Sequence, residues 1–339
     1  MPRMIPYLQA LGEALEQEMR RDPTVIAFGE DSIGGSGTDG PLGHAWGATK
    51  GLHDKVPGRI LDAPITEAAF VGAAVGAAAT GLRPVVDLLF VDFIGVCFDQ
   101  VLNQAAKLHY MSGGRAKVPM VLRAMYGAGM RRGAQHSQVL YPLVTHVPGL
   151  KVVVPSNAYD AKGLLTQAIR DDDPVVFFEH KLLAFVPGDV PAEPYAIPFG
   201  QAATVRSGSD CTIVAIGRMV SFALQAAEQL AAEGIDCEVI DPRTLSPLDE
   251  ETILASVDRT GRLVVADEAN PRCGAAADIA ALVAQDRFES LRTGVRMLTP
   301  PHAPQPFSPV LEDAYVPGAD RIATAVRATV GTTSRRSGR

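Results

Sequence analysis

The stretch from Arg59 to Val91, RILDAPITEAAFVGAAVGAAATGLRPVVDLLFV, decides the fold class. It predicts a short strand over 59–61, a helix of small residues over 67–80 that ends at Gly81, and an apolar strand over 84–91. A strand that is apolar without alternation is typical of a parallel sheet covered on both faces. The stretch therefore indicates a β-α-β unit.

The same alternation of strands and helices extends in both directions along the chain. Further strands are predicted over 24–28, 119–123, 151–154 and 175–178, and further helices over 7–21, 96–110, 159–170 and after His136. Buried strands that alternate with helices favour an α/β fold with a mainly parallel sheet.

A proline-rich stretch from about Leu183 to Ala203 interrupts this alternation and indicates a domain junction. A second α/β unit follows, with strands predicted over 211–216, 237–240 and 263–266 and helices over 221–232, 249–255 and 275–285. A chain of 339 residues is also too long for one ordinary core. We expect domains at 1–185 and 204–330, a linker at 186–203 and a disordered tail at 331–339.

Composition and charge exclude several classes of function. The chain is 47% hydrophobic and 20% charged with a net charge of −7, so it carries no basic field for nucleic acid or anionic lipid. No apolar run reaches the length that a membrane span needs, and the N-terminus does not read as a secretory signal. The four scattered cysteines predict neither a zinc site nor a disulfide framework, which favours reduced thiols in the cytoplasm.

The sequence of Gly35–Gly40 reads G-x-G-x-x-G, with Asp62 about twenty residues further on, and so matches the spacing of a dinucleotide-binding motif. That motif requires a helix to begin at its last glycine, yet Pro41, Gly43 and Gly47 follow without apolar periodicity. A nicotinamide dehydrogenase is therefore disfavoured. Ser137 lacks the G-x-S-x-G elbow of an esterase, which disfavours a hydrolase.

Two residues stand out as candidate catalytic groups. Glu67 begins a predicted helix among small and apolar neighbours, where a carboxylate either stabilises the helix end or performs chemistry. His136 follows a glycine-rich stretch with two arginines, and histidine is the commonest general acid or base, although a lone histidine is more often structural. His44, in the long glycine-rich loop, is a further candidate to face a substrate.

Several long strings together resemble the beta subunit of the decarboxylating component of 2-oxo acid dehydrogenase complexes. They are DAPITEAAFVGAAVGAAATGLRPVVDLLFVDF, CFDQVLNQAAKLHYMSGG, GAQHSQ, PGLKVVVPSNAYDAKGLLTQAIRDDDPVVFFEHK and EVIDPRTLSPLD, and they span nearly the whole chain. VDFIGVCFDQVLNQAAK and TPPHAPQPFSPVLEDAYVP are most similar to acetoin dehydrogenases. Pyruvate and branched-chain 2-oxo acid dehydrogenases are the near alternatives.

The resemblance implies a transketolase-like fold, with a pyrimidine-binding domain, a C-terminal domain, and thiamine diphosphate bound between an alpha and a beta chain. By the same resemblance Glu67 hydrogen-bonds the aminopyrimidine ring nitrogen and promotes deprotonation of the thiazolium carbon. Phe93 stacks on the aminopyrimidine. His136 assists proton transfers and transfer of the acyl group to the lipoyl arm.

A monovalent-cation site, for potassium, is also implied by the resemblance. The matching positions are Met120, Ala168, Ile169, Asp171 and Asp173, mostly through backbone carbonyls. Carbonyl oxygens and a carboxylate suit a hard cation. The chain departs from the family at Asp173, where an amide is common, and at Arg131 and Arg132, where small residues are expected.

The resemblance places the remaining parts of the enzyme on partner chains. A diphosphate needs a metal or basic donors, and the magnesium-binding Gly-Asp-Gly motif of thiamine enzymes is absent from this sequence. We therefore expect an alpha subunit to hold the magnesium and the diphosphate in a tetramer of two alpha and two beta chains, docked on a lipoyl-bearing acyltransferase core. The expected reaction is oxidoreductase chemistry that cleaves a carbon–carbon bond next to a carbonyl and passes the acyl group to lipoamide. A non-catalytic assembly subunit is the alternative of another class.

Overall fold

A computed structural model describes residues 3–33 and 48–331, which form two compact units. The first unit comprises Met1–Tyr126 and Gln135–Phe199, and the second comprises Gly127–Ala134 and Gly200–Arg339. Residues 127–134 thus belong to the second unit although first-unit residues flank them on both sides. Nothing in the sequence indicated this exchange, because it depends on contacts with residues far along the chain.

The first unit is built on a parallel sheet. Its strands are β1 (Met4–Pro6), β2 (Val25–Glu30), β3 (Ile60–Ala63), β4 (Arg83–Phe90), β5 (Val121–Tyr126), β6 (Lys151–Val153), β7 (Val175–His180) and β8 (Pro187–Asp189). Six of these lie in the order β6-β7-β5-β4-β2-β3, and every neighbouring pair is parallel. β1 and β8 form a separate antiparallel ribbon.

Helices of the first unit cover this sheet. They are α1 (Tyr7–Arg21), α2 (Leu52–Lys55), α3 (Glu67–Ala79), α4 (Leu108–Met111), α5 (Tyr141–Thr145) and α6 (Ala158–Arg170), with 3-10 turns at Val91–Gly95 and Lys181–Leu183. Leu11 and Leu15 of α1 and Leu164 of α6 are fully buried in the core. Their helical spacing explains why one face of each helix packs inward.

The chain over 96–110 differs from the single helix that periodicity predicts there. It forms a π-helical turn at Gln100–Ala105 and then the short α4. Directly after the π turn, the carbonyl oxygen of Ala106 lies against Gly149, where an added Cβ atom would be 2.1 Å from that oxygen. The periodicity of a local stretch of sequence contains no information about such a long-range contact.

The second unit repeats the same architecture. Its strands are β9 (Ala203–Arg206), β10 (Cys211–Ala215), β11 (Cys237–Asp241), β12 (Thr244–Ser246), β13 (Leu263–Ala266) and β14 (Arg296–Leu298), and its helices are α7 (Met219–Ala231), α8 (Glu250–Thr260), α9 (Ala275–Asp286), α10 (Pro309–Tyr315) and α11 (Ala319–Gly331). The sheet order is β14-β13-β10-β11-β9, and only β9 runs antiparallel to its neighbour. Two mainly parallel sheets covered by helices confirm the predicted fold class. Among the described residues, no helix is both long and apolar enough to cross a membrane.

Candidate active site

A β-bulge near the end of β4 shapes the candidate site. Leu89 adopts a left-handed conformation with φ 68°, and the pairing register with β5 shifts between Asp87 and Phe90. The Asp87 carboxylate accepts the Leu89 N–H at 3.0 Å. Gly29 of β2 lies against this turn, since a Cβ atom there would be 2.3 Å from the Asp87 carbonyl oxygen. Bulges re-aim side chains at functional sites, and this one precedes the 3-10 turn that carries Phe93.

A buried ion network connects β4, β5 and β7. Arg123 donates two hydrogen bonds to Glu179, at 2.6 and 2.9 Å, and one to Asp87 at 3.3 Å. Burial raises the pKa of the Glu179 carboxyl, and Arg123 partly offsets that shift. The network therefore holds together the three strands whose carboxyl ends lead into the candidate site.

Three rings meet beyond these strand ends. The His136 ring lies 5.2 Å from the Phe90 ring and 5.5 Å from the Phe93 ring, edge to face in both cases. The Phe90 and Phe93 rings are 5.9 Å apart, also edge to face. The buried Lys181 places its Nζ atom 5.3 Å above the Phe90 ring and donates a hydrogen bond to the carbonyl oxygen of His136. The fold thus brings Phe93 and His136 together, and it adds Phe90 and Lys181, which sequence reasoning missed.

The chain after His136 is attached to the 3-10 turn by a side-chain clamp. Gln138 donates to the Asp92 Oδ1 atom from its backbone at 3.2 Å and from its side chain at 2.9 Å. Within the part of the chain that the structure describes, the buried Asp92 Oδ2 and Ser137 Oγ atoms have no hydrogen-bond partner. His136 itself precedes α5 by five residues, so it lies in an irregular segment rather than at a helix start. The clamp gives this segment a fixed position.

Glu67 is the first residue of α3, and only 8% of it is exposed. Burial raises the pKa of the Cys97 thiol to about 12, and the Glu67 charge contributes to that shift. The pKa of Glu30, at the end of β2, is also raised by burial and then by Asp31 and Glu67. Glu67 therefore lies within electrostatic reach of the turn that follows Phe93.

Backbone amides before His136 are bound by buried carboxylates of the second unit. Ala128 N–H donates to Glu268 at 2.6 Å, and Gly129 N–H donates to Glu312 at 3.0 Å. Arg131, in a left-handed conformation with φ 57°, pairs with Glu312 at 2.5 Å and with Asp313 at 2.7 Å. The unexpected arginine at 131 is thus explained by its contacts with α10.

The residues predicted to bind potassium cluster around the C-terminal end of α6. The Ile169 and Asp171 carbonyl oxygens accept hydrogen bonds from Arg83 at 3.1 and 2.8 Å. Lys151 pairs with the carboxylates of Asp171 at 2.6 Å and Asp173 at 3.1 Å. Burial lowers the Lys151 pKa, but both carboxylates raise it and their effect is larger.

Two further positions complete this group. The Met120 carbonyl oxygen accepts the Val175 N–H at 2.9 Å, and the Ala168 carbonyl oxygen accepts the Asp171 N–H at 3.4 Å. Carbonyls in the last turn of a helix lack intrahelical partners and carry the negative end of the helix dipole. A carbonyl oxygen has two lone pairs, so each of these carbonyls can accept a second contact besides the hydrogen bond described here.

Asp62, from the dinucleotide-like motif, is a candidate that the structure does describe. Asp62 accepts the Ile33 N–H at 2.6 Å, and Gly35–Gly40 and His44 lie outside the described residues. The described ranges, 3–33 and 48–331, hold no group of three His, Cys, Asp or Glu side chains that could bind a metal ion.

Comparisons with known proteins agree with this architecture. Residues 3–185 match the transketolase pyrimidine-binding domain, and residues 200–322 match the transketolase C-terminal domain. The fold is similar to a solved structure described as a split gene transketolase, inactive beta4 tetramer, with a TM-score of 0.79 and 24% identity over 96% of this chain and 98% of the other.

Similar proteins define the class of this protein more narrowly. The chain is 58% identical to the beta subunit of the acetoin:2,6-dichlorophenolindophenol oxidoreductase of Cupriavidus necator, over 97% of this chain and 98% of the relative. It is 52% identical to the corresponding subunit of Bacillus subtilis, over 98% of both chains. It is also 37% identical to the 2-oxoisovalerate dehydrogenase beta subunit of Bacillus subtilis, over 96% of this chain and 98% of the relative. The chain therefore belongs to the transketolase-like family of dehydrogenase beta subunits, which confirms the resemblance seen in the sequence.

Proposed function

We propose that the chain is the beta subunit of a thiamine-diphosphate-dependent acetoin dehydrogenase. With an alpha subunit it cleaves the carbon–carbon bond next to the carbonyl of its substrate and passes the acyl group to lipoamide. Similarity to two acetoin oxidoreductase beta subunits over nearly the whole chain supports acetoin. Pyruvate and branched-chain 2-oxo acids are the competing substrates, because beta subunits that act in those reactions are also related.

One observation carries the proposal. Glu67, only 8% of which is exposed, lies within electrostatic reach of the segment that presents Phe93 beside His136. A carboxylate accepts hydrogen bonds through both oxygens, so Glu67 suits a ligand that brings its own donor. A nitrogen heterocycle with a stacking face fits both Glu67 and the half-buried Phe93 ring.

The residues of this chain then have distinct roles. Thiamine diphosphate, when bound, supplies a carbon nucleophile and accepts the electron pair of the broken carbon–carbon bond. Glu67 holds a proton at the pyrimidine ring nitrogen, and Phe93 orients that ring by stacking. His136 moves a proton at the substrate oxygen, since its imidazole is the titratable side chain beside the Phe93 ring.

The charged end of the coenzyme is assigned to the alpha subunit, together with its magnesium. The surface of α3 supports close contact with another chain, because Ala69, Ala73 and Gly76 are exposed and small. We propose a tetramer of two alpha and two beta chains that docks on a lipoyl-bearing acyltransferase core in the cytoplasm. Copurification of alpha, beta and core chains, with the mass of the smallest complex measured by light scattering, tests this assembly.

A potassium ion is proposed at the C-terminal end of α6. Met120, Ala168 and Ile169 would supply carbonyl oxygens, and Asp171 and Asp173 would supply carbonyl or carboxylate oxygens. Potassium should raise the melting temperature of the protein more than sodium at equal ionic strength, and Asp171→Ala should remove the difference. Equal melting temperatures in both salts would contradict a potassium site.

The decisive experiment is coexpression with an alpha subunit followed by an assay of acetoin, pyruvate and branched-chain 2-oxo acids with an artificial electron acceptor. Glu67→Gln should assemble normally but lower turnover by several orders of magnitude. Glu16→Gln is the matched control, because the partners of Glu16 in the described part of the chain are Arg20 and Lys55, in ion pairs at the surface. Full turnover by Glu67→Gln would instead favour the second candidate, a non-catalytic assembly subunit.

A further inference from the structure

Lys181 is a fully buried lysine beside the candidate active site, with 1% of its surface exposed. It begins the 3-10 turn that directly follows β7. His180 fixes this turn, because its Nδ1 atom accepts the Leu182 N–H at 3.1 Å while its ring packs edge to face on Tyr126 at 5.0 Å. The Lys181 side chain is therefore attached to a backbone segment whose position at the end of β7 is fixed.

Both described contacts of the ammonium group involve neighbours of the His136 imidazole. Lys181 donates to the carbonyl oxygen of His136 itself, and it lies over the face of Phe90, whose ring contacts the His136 ring. A buried ammonium is stable only with such acceptors and π faces around it. One cation thus restrains both the main chain of His136 and the aromatic ring against which the imidazole rests.

We propose that Lys181 is a positioning residue for His136. Its ammonium group holds the irregular segment around His136 against Phe90, and this arrangement keeps the imidazole beside Phe93, where the coenzyme ring is expected to stack. The inference rests on the proposed function, and it adds a group that acts through His136 without touching the substrate. Positioning matters here because a misplacement of about 1 Å can cost about 100-fold in rate.

A second buried lysine provides the matched control. Lys162 of α6 is 0% exposed, donates to the carbonyl oxygens of Pro191 at 2.7 Å and Ala192 at 3.1 Å, and lies 5.6 Å over the Tyr195 ring. Like Lys181 it contacts a carbonyl oxygen and an aromatic face, and it also pairs with Glu13 at 3.3 Å. None of these partners belongs to the Phe90, Phe93 and His136 cluster. A loss that reflects only the removal of a buried ammonium should therefore appear in variants of both lysines.

Turnover by the assembled enzyme gives the first readout. Lys181→Met should lower kcat about 10- to 100-fold while the KM for thiamine diphosphate changes less than about threefold. Lys181→Arg, which keeps a cation and a donor, should recover most of kcat. Lys162→Met should keep kcat within about twofold even where it lowers the melting temperature. If Lys181→Met fails to fold, Lys181→Gln replaces it, since glutamine retains one neutral donor.

Chemical modification gives a readout that does not depend on activity. The rate at which diethyl pyrocarbonate modifies His136, followed by peptide mass spectrometry, should change more than about threefold in Lys181→Met and stay unchanged in Lys162→Met. Unaltered kcat and unaltered His136 modification in a folded Lys181 variant would overturn the inference. An inactive wild-type assembly would instead refute the proposed function, so the two failures are distinguishable.

Discussion

Replacing Arg123 by methionine should strongly destabilise the first unit. Arg123 and Glu179 have side chains that are each only 4% exposed, and Asp87 is the third member of their network. Methionine fills similar space but leaves Glu179 without its two charge-assisted hydrogen bonds. Breaking a buried ion pair on one side costs about 3 to 5 kcal/mol, which for a domain of this size corresponds to roughly 6 to 20 °C in melting temperature.

The loss of stability caused by Arg123→Met should increase as pH rises. Burial raises the folded-state pKa of Glu179, so the folded protein holds this proton more tightly than the unfolded chain, and stability falls as pH rises through that raised pKa. Arg123 opposes the shift, and its removal therefore raises the Glu179 pKa further. The penalty of Arg123→Met should be largest near pH 8 and should shrink towards pH 5, where Glu179 is more readily protonated.

Urea unfolding at both pH values, followed by circular dichroism, measures this effect. Arg287→Met is the control, because Arg287 pairs with Asp258 at 2.8 Å on the surface and such pairs contribute about 0 to 1 kcal/mol. Glu179→Gln in the Arg123→Met background should restore part of the stability, since it removes the uncompensated charge. A loss no larger than that of Arg287→Met, or the same loss at both pH values, would refute the network as described.

Three further predictions concern other parts of the chain. Gly29→Ala should lower the free energy of unfolding in urea by about 1 to 3 kcal/mol, because its Cβ atom would overlap the Asp87 carbonyl. Gly76→Ala should raise it by about 0.5 to 1 kcal/mol, because nothing lies within 4 Å of that Cβ position. Equal effects of the two variants would contradict the close approach of Gly29 to Asp87. In the isolated native chain, Ellman's reagent should react rapidly with Cys273 alone, because Cys273 is exposed. Cys97, Cys211 and Cys237 are buried, and burial raises the pKa of their thiols. All four thiols should react in denaturant. Arg131→Ala should lower the urea midpoint more than the neighbouring Arg132→Ala does, because the buried Glu312 loses its cationic partner. Equal midpoints in the two variants would indicate that the α10 contacts of Arg131 contribute little.

Local patterns predicted most of the regular structure because their signals are local. The apolar run that became β4 and the helical spacing that became α1 and α6 each depend on residues within one element. The prediction over 96–110 was wrong in detail, since a π turn and a short helix replace one helix. There the packing of Ala106 against Gly149 connects residues more than forty positions apart, which no local pattern includes.

The residues of the candidate site were likewise predicted only in part. Glu67, Phe93 and His136 were predicted because family-specific strings surround them, and the structure places the last two in ring contact. Phe90, Lys181, Gln138 and Arg123 were missed, because each acquires its role only through a partner in another element. Arg131 looked like a departure from the family until α10 supplied its carboxylate partners.

By itself, the sequence determined the α/β class and most of the longer elements, and it predicted candidate chemical groups for the site, because periodicity, helix termini and motifs act over a few residues. Tertiary structure alone decided how those groups are held. Arg123 meets Glu179 across 56 positions, and Lys181 meets His136 across 45. These pairs form because burial makes an unpaired charge costly, and only the folded chain determines which charges are buried together.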